Sequence, residues 1–161
     1  MLSDKFFADI GVKFLGDAWG TRSSGLKSDT REAWQKEYDA ANGTGSSTAL
    51  AVDRVYDATV IAALAIQIAG SAKPDEIKDA VRKVQDEKGE VVGAGLEGLK
   101  KALALAKAKK PIRYAGVLGP IQFDQWGDIT GPFLVMKVNA EGKIAPTGTV
   151  LAKEEIDRLM K

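Results

Sequence analysis

The sequence predicts an α/β fold that ends in short antiparallel strands. Three patterns lead to this prediction: a mostly apolar helical stretch at residues 48–69, a lysine-rich amphipathic stretch at 96–109, and period-two alternation of apolar residues near the carboxy terminus. A helix as apolar as the first of these must be covered on most sides. We therefore expect helices that pack against strands.

The amino-terminal elements begin at capping residues and end at glycines. Residues 3–10 read as a short helix with a serine cap, and residues 12–19 read as a strand. A polar loop at 20–27 then leads to a helix at 28–42, whose apolar side chains fall on one face and which ends before a glycine.

The middle of the chain is predominantly helical. The stretch at 48–69 carries the strongest helical signal, and a proline then begins a second helix at 74–85. The glycine-containing segment 91–95 is predicted to be a loop. The amphipathic helix at 96–109 follows it and ends before a proline.

The carboxy-terminal part is predicted to be a three-stranded antiparallel ending. A half-buried strand at 121–123 leads into a tight turn at 124–127, where a glycine can take a positive φ. A second strand at 133–138 and a short third strand near Ile144 follow, separated by another glycine turn. A final helix is predicted at 153–160.

Composition excludes several classes of function. The chain has 161 residues, a net charge of +1, no cysteine and no histidine. The balanced charge gives no reason to expect a nucleic-acid partner, and the missing residue types remove disulfides, Cys-His or Ser-His catalysis and the commonest zinc ligand. We expect no metal, no cofactor and no enzymatic activity. The first residues show no secretory signal pattern, and the longest apolar run is too short to span a bilayer.

Several motifs, taken in order, resemble those of one protein family. They are Gly20-Thr21 after a strand, Tyr56-Asp57-Ala58 opening an apolar helix, Gly89-Glu90-Val91-Val92, the helix at 100–110, and Gly119-Pro120-Ile121-Gln122-Phe123-Asp124 with Gly127-Asp128. This order resembles the last part of type I periplasmic solute-binding proteins, the substrate-binding components of ABC importers for branched-chain amino acids and amides.

The resemblance implies half of a two-lobed protein. Such a protein has parallel-sheet lobes with flanking helices, and here residues 1–27 and 112–161 would belong to one lobe while 28–111 supply helices of the other. The expected ligand is an amino acid or amide bound by lobe closure, the expected partner is an ABC permease, and the intact protein is expected to be periplasmic or extracellular. Because both lobes are needed, we expect weak or no binding by this chain alone.

The first turns of the apolar helix hold the main candidate ligand-binding residues, Asp53, Tyr56 and Asp57. Asp53 and Asp57 share a helix face at i,i+4 spacing, and Tyr56 adds an aromatic plate with a hydroxyl. A carboxylate near a helix amino terminus is favoured by the helix dipole and can receive a ligand ammonium or amide N–H. The alternative is that both carboxylates are solvated or cap the helix start, loosely paired with Arg54.

Trp19 and Arg22 are secondary candidate ligand-binding residues, because they follow a predicted strand and ligands bind beyond strand ends in α/β sheets. The alternative places Trp19 in packing and Arg22 on the surface.

Asp124 and Asp128 flank a glycine in a pattern that resembles a calcium-binding loop. The glutamate that such a loop needs is absent, so a structural turn is the better prediction.

Two other functions stay open at this point. One is an enzyme that uses Asp53 and Asp57 as acid and base. The other is a structural module that dimerises through an exposed apolar helix without a ligand. In the resembling family the 48–69 helix packs on strands of the other half, so we expect either a second copy or a separate amino-terminal part to cover it.

Overall fold

Two short sheets organise the chain, and each belongs to a different unit. The computed structural model describes residues 9–10, 16–23, 29–49, 51–129 and 131–159. The terminal unit comprises residues 1–24 and 130–161, and the central unit comprises residues 25–129. The strands and helices, in chain order, are β1 (Trp19–Ser23), α1 (Asp29–Asn42), α2 (Val52–Ala69), α3 (Pro74–Val81), β2 (Glu90–Gly93), α4 (Leu96–Lys107), β3 (Ile112–Gly116), β4 (Gly119–Pro120), β5 (Phe133–Val138), β6 (Ile144–Leu151) and α5 (Lys153–Leu159).

In the central unit, β2 and β3 are parallel neighbours joined by the crossover helix α4. The two-residue strand β4 pairs antiparallel with the other side of β3, which gives the order β2-β3-β4. Val92 lies beside Tyr114 in the parallel register, and both are buried, whereas Val91 on the opposite face is 60% exposed. The core of this unit therefore lies on one face of its sheet.

Helix α2 packs into that core with one side. Val60, Ile61 and Leu64 belong to the same buried cluster as the inward side chains of β2 and β3. On the other side of the helix, Val55 is 63% exposed and Ile66 is 42% exposed. From the sequence, a second copy or a separate amino-terminal part is expected to supply the strands that cover this helix. For its inner face this expectation is wrong, because strands of the same chain cover it. The outer face stays exposed.

In the terminal unit, β1, β5 and β6 form an antiparallel sheet with β5 in the centre. The three-stranded ending is present, but its third strand is β1 rather than residues 121–123. That segment makes one isolated bridge, between Phe123 and Ile129. Ile121 is buried in the central core, and the Phe123 amide donates to Gln85 Oε1 at 2.7 Å. Core packing and a side-chain hydrogen bond hold this extended segment instead of a ladder.

The sequence predicts the first strand at 12–19. Residues 12–15 lie outside the described residues, residues 16–18 are not in a strand, and β1 begins at Trp19. Residues 20–23, predicted to be a polar loop, form most of β1. This strand is exposed along nearly its whole length, so its polar residues give the same sequence pattern as a loop. Of the helix predicted at 3–10, Asp9 and Ile10 are helical, and the rest lies outside the described residues.

The loop predicted at 91–95 is wrong for residues 91–93, because Glu90–Gly93 form the parallel strand β2, whereas Ala94 and Gly95 do connect β2 to α4. The glycines around it mark close packing of backbones. A Cβ at Gly89 would overlap the backbone of Ile112, and a Cβ at Gly98 would overlap the carbonyl of Gly93. The helices predicted at 28–42, 74–85, 96–109 and 153–160 are confirmed with ends shifted by a few residues.

Residues 112–129 lie in the central unit, where β3 pairs with β2. From the sequence, residues 1–27 and 112–161 are assigned to one lobe and residues 28–111 to the other. The assignment of two lobes stays a prediction. Among the described residues no single helix is long and apolar enough to cross a membrane; α2 and the helical segment 74–84 meet that test only together, and they are bent by 109°.

Candidate functional site

Polar groups from four parts of the central unit gather beyond the ends of β2 and β3. Carboxyl ends of parallel strands meet at one edge of a sheet, and ligands of open α/β proteins bind outside that edge. We call this region the carboxyl edge. It comprises Arg31 and Glu37 of α1, Asp53, Tyr56 and Asp57 of α2, Gly95 and Leu96 after β2, and Val117 and Leu118 after β3.

Asp57 connects α2 to the turn that follows β3 through hydrogen bonds. Its Oδ1 accepts hydrogen bonds from the Tyr114 hydroxyl at 2.8 Å and the Val117 amide at 2.9 Å, and its Oδ2 accepts one from the Leu118 amide at 2.9 Å. The residue is 2% exposed. A Cβ at Gly116 would overlap this carboxyl group, so the glycine provides the space that the carboxylate occupies.

The electrostatics of this buried group follow from its surroundings. Burial raises the pKa of the Asp57 carboxyl above its ordinary value of 3.8, an effect that the donated N–H groups of Leu118 and Val117 oppose. Burial also raises the pKa of the Tyr114 hydroxyl, with the neighbouring carboxylate as the next cause. Tyr114 is therefore a hydrogen-bond donor throughout the physiological pH range.

Asp53 lies one turn earlier and pairs with two arginines. Arg31 Nη2 is 3.2 Å from Asp53 Oδ2, and Arg54 Nη1 is 3.1 Å from Asp53 Oδ1. Arg31 also donates from Nη1 to the Val117 carbonyl at 3.1 Å. The carboxylate is 13% exposed, and the arginine side chains are 20% and 31% exposed. This part of the carboxyl edge therefore carries positive and negative groups that are partly exposed to solvent.

Tyr56 lies on the β2 side of the carboxyl edge. Its hydroxyl accepts a hydrogen bond from the Gly95 amide at 3.1 Å, and its ring lies 5.3 Å from the ring of buried Trp34. The Leu96 amide, at the start of α4, donates to Glu37 Oε2 at 2.8 Å. Burial raises the pKa of the Tyr56 hydroxyl. Aromatic packing thus fixes the ring, and the hydroxyl contacts the segment that follows β2.

The structure thus brings three of the five predicted ligand-binding residues together, namely Asp53, Tyr56 and Asp57. Trp19 and Arg22 belong to β1 of the terminal unit. Trp19 is 62% exposed, and the Lys137 ammonium lies 5.2 Å from its ring centroid, which is a cation–π distance. Arg22 is an exposed strand residue. Ligand binding by any of the five stays a prediction.

The geometry does not favour an acid–base pair at Asp53 and Asp57. An acid and a base must reach the same reacting atoms, yet Asp57 is enclosed by donors of its own chain and Asp53 is held between two guanidinium groups. No group of three Asp or Glu side chains that could hold a metal ion occurs within the described ranges.

The turn at 124–127 is a hydrogen-bonded structural turn. Asp124 Oδ1 accepts from the amides of Trp126, Gly127 and Asp128 at 2.8–2.9 Å, and Gly127 has a φ of 95°. Arg82 donates to the Asp124 carbonyl at 2.7 Å. The Asp124 carboxylate, which a calcium loop would use as a ligand, therefore already accepts hydrogen bonds from the backbone of this turn.

Sequence reasoning missed Arg31, Glu37 and the turn at 117–118. Arg31 precedes Asp53 by 22 positions and Glu37 precedes Leu96 by 59, so no local spacing connects them. The one local signal is the i,i+3 and i,i+4 spacing on α2, which identified Asp53, Tyr56 and Asp57.

Comparison with known proteins gives a fold and no family assignment. No family model and no curated protein matches the sequence. Among solved structures, the chain is similar to a leucine-binding protein, LivK, from Thermotoga maritima, with a TM-score of 0.59 and 17% sequence identity over 95% of this chain. The chain spans 35% of the length of that protein. It therefore has a mixed α/β fold that matches a fragment of a periplasmic binding protein.

Proposed function

We propose that the chain is part of a solute-binding protein and that its carboxyl edge forms one wall of the ligand site. The observation that carries this proposal is the similarity in fold, over 95% of the chain, to a leucine-binding protein. The place of the polar cluster supports it, since Asp53 and Tyr56 lie beyond the ends of parallel strands where α/β proteins bind small molecules.

The proposed ligand is an amino acid or a related amide. Asp53 and its two arginines offer opposite charges within a few ångströms, which suits a zwitterion that carries an ammonium and a carboxylate. Tyr56 offers an aromatic ring beside them. Asp57 has a supporting role in this proposal, because it positions the turn at 117–118 rather than facing the solute.

In the intact protein, two lobes would close on the solute, desolvate it and complete its hydrogen bonds. We place that protein in the periplasm, where it would deliver its ligand to an ABC permease. Trp19 and Arg22 are proposed to be ligand contacts of the terminal unit. The proposed wall accounts for only part of the contacts, so the affinity of the chain alone is expected to be weak.

A thermal-shift screen with amino acids, amides and organic acids tests the proposal. At a ligand concentration ten times the dissociation constant, binding stabilises the folded state by about 1.4 kcal/mol. For a chain of this size that corresponds to a rise in Tm of roughly 3–6 °C. We expect such a rise with an amino acid or amide at tens of millimolar, which is ten times a dissociation constant in the millimolar range.

Matched variants localise the response. Asp53→Asn should abolish the ligand-dependent rise in Tm, whereas Asp128→Asn, which changes an exposed carboxylate on the 124–128 turn, should preserve it. The proposal fails if no amino acid or amide raises Tm, or if Asp53→Asn responds to the ligand as the unmodified chain does.

A further inference from the structure

The Asp53 carboxylate already has cationic partners within the chain. Its Oδ1 accepts hydrogen bonds from the Arg54 amide at 2.9 Å and from Arg54 Nη1 at 3.1 Å, and its Oδ2 accepts one from Arg31 Nη2 at 3.2 Å. A carboxylate offers only about four lone-pair positions. A solute ammonium that pairs with Asp53 therefore competes with the two guanidinium groups, and the outcome depends on which of them can leave.

The two arginines are held differently. Arg31, on α1, also donates from Nη1 to the carbonyl of Val117, a fully buried residue, so moving it would take a donor away from a buried residue's carbonyl. Arg54 follows Asp53 directly on α2, and its side chain is 31% exposed against 20% for Arg31. Long side chains that reach solvent change their rotamers readily. Arg54 is therefore the group that can leave Asp53, and Arg31 is the one that stays.

Charge balance decides what can take the place of Arg54. A solute ammonium replaces the guanidinium on Asp53, and the displaced guanidinium then needs an anion. The carboxylate of a zwitterion lies close to its ammonium and matches the planar, two-pronged geometry of a guanidinium. One ion pair thus becomes two. An amine without a carboxylate offers no anion to the displaced guanidinium, and an acid without an ammonium offers no replacement cation to Asp53.

We propose that Arg54 determines the specificity of the carboxyl edge, because its guanidinium exchanges Asp53 for the carboxylate of a zwitterionic solute while Arg31 stays in place and positions Asp53. This exchange rests on the proposed function, in which the carboxyl edge binds an amino acid. It adds the distinct roles of the two arginines. It also defines the class of ligand selected: a compound with an ammonium and a carboxylate close together, in preference to amines and acids of the same shape.

Three ligands with the same hydrocarbon part test the exchange. Leucine carries both charged groups, isoamylamine is leucine without the carboxylate, and isocaproate is leucine without the ammonium. Dissociation constants are measured from the amide chemical shifts of the isotope-labelled chain, which detect millimolar binding. We expect the unmodified chain to prefer leucine over the other two by about tenfold or more, which is the contribution of one charge-assisted pair.

Arg54→Gln removes the exchangeable guanidinium and keeps a long polar side chain. Isoamylamine should bind this variant more tightly than it binds the unmodified chain, because its competitor for Asp53 is gone. Leucine gains the same access but loses the partner of its carboxylate, so its preference over isoamylamine should fall by about tenfold. Arg54→Lys, which keeps the positive charge, should restore most of that preference. Thermal melts establish that both variants fold.

Lys73→Gln is the matched control. Lys73 follows the other end of α2, is 80% exposed and pairs with Glu76 at 3.4 Å, so this variant loses the same charge far from Asp53 and should bind all three ligands unchanged. If neither leucine nor isoamylamine binds the unmodified chain at tens of millimolar, the proposed function fails and the exchange fails with it. If leucine binds, three results overturn the exchange alone: isoamylamine binds the unmodified chain as tightly as leucine does, Arg54→Gln does not tighten isoamylamine, or Lys73→Gln tightens it equally.

Discussion

Replacing Asp57 tests how the carboxyl edge is held together. Asp57→Ala removes the acceptor of the Tyr114 hydroxyl and of two backbone amides, all of which lie at the buried junction between α2 and the turn after β3. Each donor left unsatisfied costs about 1–3 kcal/mol. The variant should therefore lose about 3 kcal/mol or more, a large part of the roughly 5–15 kcal/mol that stabilises a domain.

Asp57→Asn distinguishes the contribution of the carboxylate charge to stability from that of its hydrogen bonds. One oxygen still accepts, but the amide nitrogen opposes a backbone N–H, so we expect a loss of about 1–3 kcal/mol. The pKa of Asp57 is raised in the folded state, so the stability linked to it is present below the ordinary value of 3.8 and is lost as pH rises through the raised value. The advantage of the unmodified chain over Asp57→Asn should therefore shrink as pH rises from about 4 towards neutrality.

Urea unfolding followed by circular dichroism at several pH values measures both effects. The free energy of unfolding of the two variants is compared with that of the unmodified chain at each pH. Two results would refute the reasoning: a loss below about 0.5 kcal/mol for Asp57→Ala, which is the range of neutral surface changes, or an advantage over Asp57→Asn that grows with pH.

The remaining predictions concern neighbouring contacts and use the same unfolding assay. Gly116→Ala places a Cβ in the space of the buried carboxyl group and should cost about 1–3 kcal/mol, whereas Gly20→Ala, with open space around it on a strand, should be neutral or stabilise by about 0.5–1 kcal/mol. An equal effect of the two would contradict the packing described. Arg31→Ala should cost about 1–3 kcal/mol, and Arg158→Ala, whose ion pair on α5 is 75% exposed at the arginine, about 0–0.5 kcal/mol. Asp124 has its pKa lowered by backbone hydrogen bonds, so its contribution is present above the ordinary value of 3.8 and is lost as pH falls through the lowered value; Asp124→Asn should remove that acid-side loss. If the stability of this variant fell at acid pH as much as that of the unmodified chain, the described turn geometry would be contradicted.

Helices and their ends could be read from the sequence because their signals are local. Apolar spacing and capping residues located α1, α3, α4 and α5 to within a few residues. Strands were harder. The strand β1 is exposed, so its polar residues resemble a loop. The glycines near β2 indicated a connecting loop, although they allow close packing of backbones.

The candidate site could be predicted only where its residues are neighbours in sequence. Asp53, Tyr56 and Asp57 were found from their spacing on one helix. Their chemistry was not, because the arginine that pairs with Asp53 and the hydroxyl that bonds Asp57 come from distant segments. The inner side of α2 illustrates the same limit: its apolar pattern required a cover, but the pattern could not identify β2 and β3 as that cover.

An NMR titration of the isotope-labelled chain with leucine tests most directly whether the carboxyl edge binds a solute. Amide chemical shifts detect binding even at millimolar dissociation constants, which is the range expected for one wall of a site. We expect concentration-dependent shifts that cluster at Arg31, Asp53, Tyr56, Gly95 and Val117, with amides in the carboxy-terminal half of α2 unchanged. Amide shifts that do not move at tens of millimolar leucine, or that move only away from this cluster, would contradict the account.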